Sequence, residues 1–191
     1  MNETIQSLFD LLQISGYQSK GLEKLAETDS KYLRDLKLNV STVLKSKNLT
    51  AKEARLLALA TAITDRHVVL IEAFEKMALG EGATAEELAE VNACTSLMAA
   101  NNVFYRFRHY LKDNEFYNKT PAGLRMSIMM NPVTGKPFFE LMSLAISALN
   151  NCEMCIQSHE HSVRQHEVSE AAVFDAIRLV AVIRSLIVAL G

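Results

Sequence analysis

The sequence has few residues that interrupt helices. It contains only seven Gly and three Pro among 191 residues, and it has no alternating β-branched runs of the kind that indicate hairpins. Hydrophobic residues make up 49% of the chain, which is enough to bury a sizeable core. The sequence therefore predicts one all-α domain over residues 1–191.

An excess of charge of one sign is also missing. Twenty Lys and Arg face twenty-two Asp and Glu, for a net charge of -2, and neither sign forms a long run. Nucleic-acid-binding proteins usually carry a basic patch or stripe, so no DNA or RNA partner is predicted.

Long uninterrupted apolar runs are absent as well. The most apolar stretch, residues 171–191, contains Asp175, Arg178 and Arg184, which are costly near the centre of a bilayer. It is predicted to be a core helix with no membrane partner. The first sixteen residues lack the basic region and cleavage site of a secretory signal, and they are predicted to form a short amphipathic helix.

Cysteine is too scarce for a disulfide framework. Two of the three cysteines, Cys152 and Cys155, form one C-x-x-C, and Cys94 stands apart. In a reducing compartment this pattern more often indicates redox or metal chemistry than a structural bridge. We therefore expect a cytoplasmic protein.

Three polar residues mark the starts of predicted helices. Thr50 is followed three residues later by Glu53, as in a capping box, Thr84 follows a pair of glycines, and Ser169 precedes the last apolar run. The segment from Asn114 to Pro137 holds all three prolines and is predicted to be mainly loop.

A repeat divides the chain into two similar halves. The stretch RLLALATAITDRH from Arg55 aligns with ELMSLAISALNNC from Glu140, an offset of 85 residues, and the same offset carries Thr84 onto Ser169. We predict a first unit at about residues 50–113 and a second at about 136–191.

Four residues of the second unit, Glu140, Cys152, Cys155 and His159, align with Arg55, His67, Leu70 and Phe74 of the first. Only the second unit is therefore expected to carry chemistry.

The C-x-x-C motif is predicted to lie at a helix start. If Asn151 caps that helix, the Cα atoms of Cys152 and Cys155 lie about 5 Å apart, within the range of a disulfide. A helix N-terminus favours the thiolate, although Glu153 between the two thiols opposes this effect when it points inward.

A base and a carboxylate accompany the thiols. His159 follows Cys155 by four residues, so it lies on the same helical face and is able to exchange a proton with a thiol. Glu140 lies twelve residues before Cys152, on the preceding helix. We expect it to orient His159 or to pass protons to it.

The same histidines and cysteines also fit other interpretations. A zinc site requires a non-helical segment, because Cys152 and His159 lie about 10 Å apart along one helix and His161 points to nearly the opposite side. Inert buried thiols are a further alternative.

Cys94 is expected to fill the core, and His67 to cap a helix or lie at the surface. The remaining histidines, His109 and His166, are predicted to be solvated or hydrogen-bonded, and the cluster Met126, Met129 and Met130 to serve packing.

The order Glu140, eleven residues, C-x-x-C, three residues and His159 resembles the active-site pattern of the alkylhydroperoxidase D family of the carboxymuconolactone decarboxylase-like superfamily. The stretches LKLNVS, NNVFYRFRHYL and LRMSIMMNP are similar to the same family, and the resemblance runs from about residue 30 to the C-terminus. Where some members have His before the second cysteine, this chain has Met154. The mouth of the site is therefore expected to be more hydrophobic.

The resemblance implies an all-helical homo-oligomer, most simply a trimer, with no bound cofactor. It implies that Cys152 and Cys155 form a redox-active disulfide and that His159 and Glu140 form a proton relay. The implied partners are organic hydroperoxides, an alkyl hydroperoxide reductase C-type peroxiredoxin, and the dihydrolipoamide of a 2-oxoacid dehydrogenase complex as electron donor. The order in which the thiols react stays open. A thiol-based redox sensor and a decarboxylase-like enzyme of the superfamily are the alternatives.

Overall fold

The computed structural model describes residues 2–191, and Met1 lies outside the described residues. Over this range the chain is all-helical, as predicted, with ten α-helices, one 3-10 turn at Ser127–Met129 and no strand. The helices are α1 (Glu3–Leu12), α2 (Lys20–Glu27), α3 (Lys31–Val43), α4 (Ala51–Thr64), α5 (Val68–Gly80), α6 (Ala85–Tyr110), α7 (Glu115–Lys119), α8 (Lys136–Leu149), α9 (Glu153–Gln165) and α10 (Glu170–Leu190).

The predicted helix starts are confirmed. Thr50 and Thr84 both form complete capping boxes, with Glu53 and Glu87 as the acidic partners, and the Ser169 side chain accepts the Ala172 N–H. These contacts satisfy N–H groups that have no partner inside a helix. The segment between Asn114 and Pro137 contains only short helical pieces.

The two halves of the chain repeat one helical pattern. Helices α4, α5 and α6 begin at residues 51, 68 and 85, and α8, α9 and α10 begin 85 residues later at 136, 153 and 170. Assigning the two units to about residues 50–113 and 136–191 remains a prediction.

The core forms where the first helices of the two halves meet. Helices α4 and α8 contact each other, α10 packs against both, and α6 also packs against both. Nearly every residue of the central part of α4 and α8 is buried, because these helices are surrounded on all sides. Helix α9 packs against α8 and α6, which places the C-x-x-C motif at the junction of three helices.

The N-terminal helices cover α10. Helix α3 packs on α10, and α2 approaches its C-terminal end, where the Ser19 hydroxyl donates to the Leu190 carbonyl at 2.8 Å. At Gly21 a Cβ atom would lie 2.1 Å from the Ala189 carbonyl oxygen, so only glycine permits this approach. Among residues 2–191, no helix combines the length and apolar character needed to cross a membrane.

Candidate active site

The turn between α8 and α9 places the first thiol. Asn151 adopts a left-handed conformation with φ of 60°, a region that Asn tolerates better than most residues, and the Cys152 N–H donates to the Ser147 carbonyl at 3.1 Å. The expectation that Asn151 caps the helix is therefore wrong. Cys152 itself occupies the N-cap position, and α9 begins at Glu153.

Side chains from neighbouring helices hold this turn. Arg106 of α6 and Arg184 of α10 each donate a guanidinium N–H at 2.7 Å, to the carbonyls of Asn150 and Leu149 respectively. Asn102 links the Asn150 side chain to the Ser147 hydroxyl through two hydrogen bonds of 2.9 Å. The last carbonyls of α8 thus gain partners that the helix does not supply. Arg106 therefore contributes to packing within the chain.

The two thiols form a disulfide, and they differ in exposure. The Cα atoms of Cys152 and Cys155 lie 5.3 Å apart, close to the separation expected for one helical turn. Cys152 is fully buried, whereas Cys155 is 6% exposed and lines a cleft. Cys155 is therefore the sulfur that a molecule in the cleft is able to reach.

His159 and Glu140 meet across the α8–α9 contact. His159 Nδ1 lies 2.6 Å from Glu140 Oε2, and Lys136 Nζ lies 2.6 Å from the other oxygen, Oε1. Burial pushes the pKa of Glu140 upward, but the contacts with His159 and Lys136 outweigh it and hold the pKa at about 2. Glu140 is therefore ionised at neutral pH.

The charge of the carboxylate fixes how the two side chains share their hydrogen bond. An ionised carboxylate only accepts hydrogen bonds, so His159 Nδ1 carries a hydrogen and Nε2 is left as the nitrogen able to take a proton. This contact favours the first expected role of Glu140, orienting the imidazole, and the role itself stays a prediction. Lys136 was missed from the sequence, although its spacing of four residues from Glu140 places the two side chains on one helical face.

A cleft of about 310 Å³ opens beside Cys155 and His159. Its walls are mostly apolar, and its lining residues are Asn101, Tyr105, Met126, Met129, Met154, Cys155, Ser158 and His159. Met154 therefore makes the mouth more hydrophobic, in line with the expectation for this position. Met126 and Met129, which were predicted to serve packing, lie in the cleft wall. Met130 is largely exposed.

The remaining cysteine and histidines lie away from the cleft. Cys94 is buried beside Ser143 and fills the core as expected. This burial raises the pKa of its thiol to about 12. His67 caps α5 by accepting the Leu70 N–H, and burial lowers its pKa. His161 is exposed and contacts Gln165 on the outer side of α9. His109 has a neighbour that the sequence did not indicate, Glu153, at 3.4 Å.

The zinc alternative does not fit this geometry. Helix α9 is continuous from Glu153 through His159 and His161, whereas a closed site with these ligands needs a non-helical segment. Within residues 2–191, no group of three or more His, Cys, Asp and Glu side chains is arranged to hold a metal ion.

Comparison with known proteins identifies a family and several similar sequences. Residues 35–113 and 118–189 match the model of the Carboxymuconolactone decarboxylase family. A protein named Alkyl hydroperoxide reductase AhpD from Rhodopseudomonas palustris (strain BisA53) is 40% identical over 169 residues, which cover 88% of this chain and 92% of the relative. Proteins of the same name from Solibacter usitatus (strain Ellin6076) and Frankia alni are 41% and 39% identical over 86% of this chain, and over 92% and 88% of their own lengths.

Proposed function

The chain belongs to the carboxymuconolactone decarboxylase family and to its AhpD branch of alkyl hydroperoxide reductases, and we propose that it is a dithiol peroxidase and disulfide reductase. Cys152 and Cys155 are its redox pair, His159 is its base, and Glu140 orients that base. The observation that supports this proposal most directly is the position of Cys155, which lines the same cleft as a histidine held by a buried carboxylate.

The oxidative half-reaction begins at Cys155. His159 takes the proton of the Cys155 thiol, and the thiolate attacks the terminal oxygen of an organic hydroperoxide. The O–O bond breaks, the alkoxide takes the proton from His159 and leaves as an alcohol, and Cys155 becomes a sulfenic acid. The Cys152 thiolate then attacks the Cys155 sulfur and displaces hydroxide, which is protonated to water. The two cysteines have given up two electrons and formed a disulfide.

The reductive half-reaction uses the same accessible sulfur. A thiolate of dihydrolipoamide attacks Cys155 and displaces Cys152, and the second lipoyl thiol then closes the lipoyl disulfide and releases Cys155. Cys152 is suited to leave as a thiolate because it stands at the N-terminus of α9, where the helix dipole favours negative charge.

The restored dithiol is also able to reduce the disulfide of an alkyl hydroperoxide reductase C-type peroxiredoxin by the same exchange. With a lipoyl domain as electron donor, we place the reaction in the cytoplasm. The family resemblance favours a homotrimer, which an equilibrium sedimentation measurement tests directly.

The experiment that tests the proposal is peroxide-dependent oxidation of dihydrolipoamide by the purified protein, with and without a peroxiredoxin. Cys155→Ser is expected to reduce turnover to background, because neither the sulfenic acid nor the disulfide can form. Cys94→Ser is the matched control, since the third cysteine lies buried away from the cleft. Its turnover is expected to equal that of the wild type.

Two results would contradict the proposal. Near-normal turnover in Cys155→Ser would exclude the dithiol cycle. A wild-type protein that forms the disulfide and changes its oligomeric size on oxidation, yet oxidises no dihydrolipoamide, would be a redox sensor instead.

A further inference from the structure

Asn101 of α6 brings an amide with an unused acceptor to the wall of the cleft. The residue is 5% exposed and lines the cleft together with Cys155 and His159. Its Nδ2 donates to the sulfur of Met126 at 3.1 Å, and a thioether is only a weak acceptor. Its Oδ1 is buried and has no hydrogen-bond partner among residues 2–191. A buried amide oxygen without a partner is costly, so its presence beside the reactive sulfur requires an explanation.

The amide specifies the kind of group that would satisfy it. A ligand must donate a hydrogen bond to Oδ1. It must also accept a hydrogen bond from Nδ2, and that bond must be stronger than the present one to the Met126 thioether. A trans secondary amide presents its N–H and C=O on opposite edges, so it cannot satisfy both atoms of one Asn side chain. A hydroperoxide carries its donor and its acceptor on adjacent oxygens, and the apolar cleft walls suit an alkyl group.

We propose that Asn101 is a catalytic residue of the hydroperoxide half-reaction, and this inference rests on the proposed function. The terminal O–H of the peroxide donates to Asn101 Oδ1, which turns the terminal oxygen toward Cys155. Asn101 Nδ2–H donates to the inner oxygen, where negative charge develops as the O–O bond breaks. The thiolate supplies the electron pair, the alkoxide leaves, and His159 supplies its proton.

The side chain that covers the amide is suited to move aside. Met126 lies in the segment that joins α7 to α8, just before the 3-10 turn, rather than within a helix. Methionine is unbranched and adopts several rotamers readily, and its contact with Asn101 is replaced by the stronger bond to the peroxide oxygen. Hydroperoxide binding thus exchanges a weak hydrogen bond for two better ones.

The test measures the two half-reactions separately by stopped flow. In Asn101→Leu, disulfide formation with tert-butyl hydroperoxide is expected to slow on the order of 100-fold, as on removal of an oxyanion donor. The loss should be smaller with peracetic acid, because acetate is a better leaving group. Oxidation by diamide and re-reduction by dihydrolipoamide should keep the wild-type rates, because neither uses the peroxide contacts.

Controls keep the inference separate from folding and from the proposed function. Asn92→Leu alters an exposed asparagine of the same helix and should react as the wild type does. If Asn101→Leu unfolds at a lower temperature than the wild type, Asn101→Ala replaces it without crowding the cleft.

Three outcomes would overturn the role of Asn101. One is a peroxide rate equal to that of Asn92→Leu, and another is an equal loss with diamide, which would indicate a structural role. The third is a reduced wild type that does not react with tert-butyl hydroperoxide but reduces a peroxiredoxin disulfide. In that case the reductase half of the proposed function stands. Failure of the whole proposed function looks different, because the wild type would then oxidise no dihydrolipoamide with any acceptor.

Discussion

The two halves of the molecule share a backbone and differ in what it carries. Before α5 and before α9, Arg66 and Asn151 adopt left-handed conformations with φ of 57° and 60°. The next residues, His67 and Cys152, are the N-caps, and each donates its N–H to the carbonyl five residues earlier, at 2.9 and 3.1 Å. The same turn therefore presents an imidazole cap in one half and a disulfide-bonded cysteine in the other.

The neighbouring positions differ in the same way. At the place of Glu140 the first half has Arg55, which donates to the Leu44 carbonyl at 2.8 Å, and at the place of His159 it has the fully buried Phe74. The first half thus uses this surface for packing, and the second half holds a hydrogen-bonded carboxylate–imidazole pair there. The helical hairpin therefore supplies geometry, while a few side chains decide whether it carries chemistry.

The largest expected effect concerns the residues at the N-caps of α9 and α5, which are equivalent positions of the two halves. Cys152→Ser should reduce peroxide-dependent dihydrolipoamide oxidation to background, because no disulfide can form. His67→Ser makes the equivalent change in the first half and should leave turnover intact. Serine is itself a good cap, so both helices keep a capping residue. Equal losses in the two variants would mean that the turn, and not the thiol, carries the activity.

The next substitution places at His159 the phenylalanine that the first half has at the equivalent position, Phe74. His159→Phe should lower kcat/KM about 10²- to 10⁴-fold, because general base catalysis by the imidazole is lost. Steady-state kinetics measure this loss, and circular dichroism checks the fold. His161→Phe, an exposed position on the same helix, is the control. A His159→Phe variant with unchanged kcat/KM would remove this residue from the mechanism.

The ion pair between the buried Glu140 and the partly exposed Lys136 predicts a change in acid stability. The folded-state pKa of Glu140 is lowered to about 2, so its contribution to stability is present above its ordinary pKa, near 4.5, and is lost as the pH falls toward 2. Lys136→Met removes one of the contacts that lower this pKa, so the acid loss of stability should be smaller and should end at a higher pH. Urea unfolding measured between pH 7 and pH 3 reports the shift.

A surface pair of the same spacing provides the control for that measurement. Lys119 and Glu115 lie 2.7 Å apart, but both side chains are largely exposed. Lys119→Met should leave the pH dependence of stability unchanged, because solvent screens an exposed pair. If the two lysine variants gave the same acid profile, the Lys136 contact would have no special influence on Glu140.

The smallest expected effect falls on a feature common to both halves. Thr84→Ala and Ser169→Ala remove the N-caps of α6 and α10, and each should cost about 1 kcal/mol of unfolding free energy without lowering turnover. Urea denaturation measures the cost. A loss of activity in either variant would mean that the caps position the site as well as stabilise the helices.

The parts of the site that are close in the sequence were predictable from it. The spacing of Cys152, Cys155 and His159 follows helical periodicity, and the disulfide and the shared face appear as expected. Glu140 was placed on the preceding helix, and its contact with His159 is observed. The cap was misassigned because Asn at a helix start favours both the N-cap and the left-handed position before it.

The sequence by itself determined the helical class, the helix starts at Thr50, Thr84 and Ser169, the repeat and the C-x-x-C motif with its histidine. These depend on periodicity and on contacts between residues a few positions apart. Only the tertiary structure decided that Asn101 and Met126 line the cleft. It also decided that Arg106 holds the turn before Cys152. Of the two thiols, it left Cys155 accessible and Cys152 buried. The physical reason is that these features arise where α6, the segment before α8 and α9 pack together, and no local sequence rule specifies which side chains meet there.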